Sequence, residues 1–132
     1  MTVLIIGFTA VILLMIVVVT DISKVFLVRR DLDATADGAV LAAANGLATV
    51  TAQPGPGRDA TIDPDQASRL TADYLDQIAA TTTFDNLTWS VTVEGTTVKV
   101  HLTSTTPLPF NPPGRPTTPT ITSEAAATVP IR

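Results

Sequence analysis

From Met1 to Val19 no side chain carries a charge, and no proline interrupts the chain before Pro54. The run from Val3 to Val19 is almost wholly apolar, and with Met1, Thr2 and Thr20 it would make a helix close to the ~30 Å thickness of a bilayer's hydrocarbon core. A segment of this kind has few options. In water it must be buried on every side, and in a membrane it can stand alone because a helix satisfies its own backbone. A cleaved signal peptide would carry a basic leader, a shorter apolar core and a small-residue cleavage site close behind. Here nothing basic precedes the run, Val17-Val18-Val19-Thr20-Asp21 is a poor cleavage site, and Ala42-Ala43-Ala44 lies well beyond it. The expectation is a retained single-pass anchor over residues 1–20.

Orientation is a separate matter. Lys24, Arg29 and Arg30 follow the span and no basic residue precedes it. The positive-inside rule taken literally would leave the carboxy-terminal part in the cytoplasm, with Asp21, Asp31, Asp33 and Asp37 counting for little.

Past Asp21 the pattern stays helical to about residue 50. Ile22, Val25, Phe26, Arg29, Leu32, Ala36, Ala39, Val40 and Ala43 recur at three- and four-residue steps, and alanine is the best helix former. Arg29 and Arg30 stand four and three residues before Asp33, spacings that suit weak ion pairs on a helix surface. Ala34, Ala36, Gly38, Ala39, Ala42, Ala43, Ala44 and Gly46 supply little side-chain bulk. Such a surface lets another helix or a sheet come close, whether in a neighbouring subunit or in the chain's own domain.

These residues carry a resemblance. An apolar span followed by Asp21, Phe26, Arg29-Arg30, Leu32, Ala34, Ala36-Asp37-Gly38-Ala39 and Leu41-Ala42-Ala43-Ala44 resembles the amino-terminal signature of the TadE/TadG-like proteins of Tad (Flp) pilus assembly. It covers roughly the first 48 residues. The resemblance implies a pseudopilin or minor pilin of a bacterial cytoplasmic membrane, single-pass, with its carboxy-terminal domain extracytoplasmic. It implies membrane lipid and other pilin-like or Tad assembly proteins as partners, in a homo- or hetero-oligomer. The packing residues it points to are Asp21, Phe26, Arg29, Arg30, Leu32, Ala36, Ala39 and Ala43. Such proteins often carry a basic segment before the apolar run, and a leader of that kind would remove the conflict over orientation. Ile5 stands where many type IV pilins have an acidic residue, if Met1 is the mature start.

Residues 51–132 are expected to form a small α+β domain. Gln53-Pro54-Gly55-Pro56-Gly57 breaks the first helix. Asp63-Pro64-Asp65-Gln66 opens a second, with Asp63 as N-cap and Pro64 in the first turn. Ala67, Leu70, Tyr74 and Ile78 then make an apolar face to about Ala80. Leu87, Trp89, Val91 and Val93 alternate with polar residues as a half-buried strand, and Glu94-Gly95-Thr96 turns the chain into a second strand carrying Val98, Val100 and Leu102. Pro107 to Pro119 holds six of the ten prolines and reads as an extended loop. Ile121 to Ile131 alternates again as a third strand. A long membrane-spanning, amphipathic helix, a second helix and a three-stranded antiparallel sheet give the outline of a type IV pilin.

Chemistry is sparse. With no cysteine there is neither a disulfide nor a thiolate metal site, and a net charge of −4 without a basic cluster gives nucleic acid nothing to bind. Asp63 and Asp65 lack the Gly and distal Glu of a calcium loop. His101 sits at a polar strand position with no partner evident from the sequence, and no Ser or Thr lies in a nucleophile elbow. Trp89 and Tyr74 fall at core periodicity. The reading is a non-enzymatic chain without metal or cofactor. It is a structural assembly component or, alternatively, a membrane-anchored binding module whose carboxy-terminal domain holds a partner or ligand.

Overall fold

A computed structural model of the chain describes residues 1–51, 62–110, 114 and 118–129. The order of elements is α1 (Thr2–Thr51), α2 (Pro64–Gln77), α3 (Ala80–Thr83), β1 (Asp85–Glu94), β2 (Thr97–Thr105) and β3 (Thr120–Thr128). The Gln53–Gly57 breaker and the end of the third strand beyond Val129 lie outside the described residues, as does much of the proline segment.

α1 is one unbroken helix of 50 residues, about 75 Å long at 1.5 Å per residue. Two environments divide it. Its most apolar window has no residue buried in the fold, and Val3 to Phe8 and Val11 to Ile16 are exposed throughout. Higher up, Leu32, Ala36, Ala39, Val40, Ala43, Ala44 and Leu47 are buried at the three- and four-residue steps of one helix stripe. The upper half of α1 is therefore a core element of the folded body. Ile22 and Phe26, although in phase with the same periodicity by sequence, stay exposed below it.

The sheet has the order β1-β2-β3 with both pairings antiparallel. Glu94 pairs with Thr97 across the two-residue Gly95-Thr96 turn, and Gly95 takes φ +61, where a side chain would be strained. Val98, Val100 and Leu102 on the central strand are fully buried, and Ile121, Ser123 and Ala125 beside them are nearly so. All of them face α1 and α2, so one sheet face makes the core and the other, rich in Thr, stays open. Asp85 leaves the regular register of β1, and Asn86 at φ 49 donates from Nδ2 to Thr105 Oγ1 at 3.0 Å.

α2 starts as its sequence directs. Asp63 is extended and its Oδ1 accepts from the Asp65 N–H at 3.0 Å, with Pro64 next to it in the first turn. Its buried stripe differs from the expected one: Ala67, Thr71 and Leu75 go inside, with Leu70 and Tyr74 half-buried and Ile78 41% exposed. The helix ends at Gln77, and Ala79 takes φ 52, so Ile78 is swung out of the stripe and a separate short helix, α3, follows. Thr71 is tolerated inside because its hydroxyl donates to the Ala67 carbonyl at 2.9 Å.

Candidate functional site

The residues singled out by sequence lie on α1, and the fold sorts them into two groups. Leu32, Ala36, Ala39 and Ala43 are completely buried against the chain's own sheet and α2. Phe26 is 65% exposed, and Arg29 and Arg30 are exposed beside it. Ile22, Phe26, Arg29 and Arg30 follow one another at helical steps, so they form a strip just above the apolar span that the folded body leaves uncovered.

The small residues of α1 have identified neighbours. A Cβ on Gly38 would lie 2.7 Å from Tyr74 Cζ, and one on Gly46 would lie 2.7 Å from Leu70 Cδ1. Both contacts are with α2, and they run in reversed order, so α2 descends along the helix it packs on. The glycines are thus notches that seat Tyr74 and Leu70. Asp33 makes no ion pair with Arg29 or Arg30 among the described residues and instead accepts a hydrogen bond from Ser123 Oγ at 2.5 Å. That bond ties α1 to β3.

Asp21 is half-buried where the apolar run ends, and its Oδ1 is buried without a hydrogen-bond partner among the described residues. Leaving a buried acceptor unmade costs on the order of 1–3 kcal/mol. Three residues on, Lys24 Nζ donates to the Pro107 carbonyl at 2.9 Å. The connection from β2 to β3 therefore starts at the span end of the body, where Thr106 N–H donates to Pro119 O at 3.1 Å.

The open sheet face carries a row that the sequence did not reveal. Ser90, His101 and Glu124 are cross-strand partners on β1, β2 and β3, with His101 Nδ1 3.6 Å from Glu124 Oε2. His101 thus has an acidic neighbour after all. The side chains of His101 and Glu124 are 46% and 59% exposed, so the row stands open to solvent. Next to it Lys99 Nζ meets Glu94 Oε2 at 2.7 Å, and that hydrogen bond, with the attraction of the same carboxylate, holds the lysine above its ordinary pKa. Among the described residues no three His, Cys, Asp or Glu side chains are grouped to hold a metal ion. Tyr74 packs against the core, whereas Trp89 at the sheet edge is 36% exposed.

Taken together, the fold and this strip define an α+β protein mounted on a bare apolar helix long enough to cross a membrane. The family model for Tad, described as Flp pilus-assembly TadE/G-like, matches residues 1–46. The chain is similar to that pilus-assembly family over about a third of its length, the part that holds the span, Asp21, the paired arginines and the alanine stripe. No curated protein and no solved structure matches the chain.

Proposed function

We propose that this chain is a membrane-anchored pseudopilin or minor pilin of a Tad/Flp-type assembly, with residues 51–132 and the upper half of α1 that they pack on forming a domain outside the cytoplasm. The observation that carries the reading is the match of residues 1–46 to the TadE/G-like model, on a helix whose apolar half is bare. Contacts with other pilus components use the exposed strip of Ile22, Phe26, Arg29 and Arg30, because the alanine stripe is consumed inside the fold. Asp21, with its orphaned oxygen at the top of the span, takes a donor from a neighbouring subunit.

The test is site-specific photo-crosslinking from position 26 and from position 30 in the bacterium that makes the protein, with filament counts for an Arg29→Glu/Arg30→Glu variant. Crosslinks to other pilin-like proteins and fewer filaments are expected. An uncrosslinked chain with unchanged filaments would sink the proposal. The complete burial of Ala36, Ala39 and Ala43 favours a second reading, a binding module for which α1 is a mount. It predicts crosslinks from the open sheet face, at position 90 or 122, and none from position 26.

A further inference from the structure

We propose that the start of the β2–β3 connection, Pro107 to Phe110, is a second membrane contact, laid on the lipid headgroup region beside the span. The inference rests on the anchor reading of α1 and is independent of the pilus role. Thr20 ends the uncharged run, and Lys24 lies four residues further, about 6 Å along the axis. Helical side chains lean toward the amino terminus, here toward the bilayer. The Lys24 ammonium, 2.9 Å from the Pro107 carbonyl, therefore fixes that carbonyl at headgroup height.

Phe110 is three residues away, within about 10 Å of chain, and it is 45% exposed, with Leu108 half-buried. An exposed aromatic at this height belongs in the interface, where aromatic rings are enriched. Pro107 and Pro109 bring no N–H donors, which lowers the desolvation penalty for an irregular segment entering a poorly hydrated layer. Ile22 and Phe26, also exposed at this level, lie on the opposite side of α1 from Lys24 and give the helix an apolar contact of its own, and Arg29 and Arg30 stand within reach of phosphates.

Trp89 is the sole tryptophan and supplies an internal control. It pairs with Leu102, whose other neighbour Ser123 is bonded to Asp33, thirteen residues past Thr20 and so about 20 Å above the hydrocarbon. The full chain is reconstituted in phosphatidylcholine vesicles whose lipids are brominated near the headgroup end of the acyl chains. Three proteins are compared: the native chain, Trp89→Phe/Phe110→Trp and Trp89→Phe/Met15→Trp. The Phe110→Trp reporter is expected to be quenched at least about twofold more than native Trp89, as an interfacial ring should be. If it is quenched no more than Trp89 while the Met15→Trp reporter is quenched, the loop contact is wrong and the anchor stands. If the Met15→Trp reporter also escapes quenching, the anchor reading fails and takes this inference with it. Because Phe110 is exposed, its replacement by Trp leaves the core intact, which a matching thermal melt verifies.

Discussion

Gly38 on α1 lies against the phenol end of Tyr74 on α2, with no room between them for a methyl group. The alanine-rich helix is therefore shaped for its own domain at this point. Gly38→Ala must displace a rigid ring, and overpacking of this kind costs about 1–3 kcal/mol. Gly46→Ala meets the branched end of the Leu70 side chain, which can rotate aside more readily than a ring, and like Gly38→Ala it gains up to about 1 kcal/mol of helix propensity. Thermal melts of the detergent-solubilised chain should show a clear drop for Gly38→Ala and a small change of either sign for Gly46→Ala.

Ala39→Leu and Ala43→Leu test the same idea on the sheet side. Both alanines are 0% exposed, so a larger side chain has to push α1 away from the sheet. Each substitution should lower stability by about 1–3 kcal/mol, and it should do so in the purified chain, with no other protein present. An unaltered melt would mean that the stripe is free to serve a neighbour.

The bond between Ser123 and Asp33 links the central stretch of β3 to α1. A hydrogen bond to a charged acceptor is worth about 1.5–3 kcal/mol. Ser123→Ala should cost a share of that, because it removes the donor while the exposed Asp33 carboxylate can turn to water. Asp33→Ala should cost at least as much, because it leaves the buried Ser123 hydroxyl without its acceptor, and the double variant little beyond either single one. Additive losses in the double-mutant cycle would show that the bond contributes nothing.

Charges on the open sheet face are expected to matter far less. Glu94 and Lys99 meet at good distance, yet their side chains are 60% and 36% exposed. Lys99→Ala should leave the melting temperature within the scatter of repeat measurements. Asp63→Ala, which removes the cap of α2, should cost about 1 kcal/mol.

Local rules made much of this legible. Asp63 and Pro64 announced the start of α2, and Gly95 fixed a two-residue turn whose register already places Ser90 opposite His101. Glu124 could not be placed there in advance, because β3 arrives through a long proline segment whose length sets no register. Ile78 departs from its expected place for a related reason: periodicity carries the apolar face one residue past Gln77, where α2 ends just ahead of the left-handed Ala79. The small residues of α1 announced close packing, but composition cannot name the partner. Gly38 and Gly46 needed Tyr74 and Leu70 in view before their purpose could be read.

The continuity of α1 has a mechanical consequence. No Pro or other break separates the apolar end from the end sealed into the sheet, so on the proposed anchoring the body has no hinge at the membrane surface. Leu47 stands about 40 Å beyond Thr20, and a common tilt of about 20° would carry that point sideways by about 14 Å. The helix is a lever arm. A small change in how its lower end leans in lipid is delivered, magnified and undamped, to the surface the protein presents farthest from the membrane.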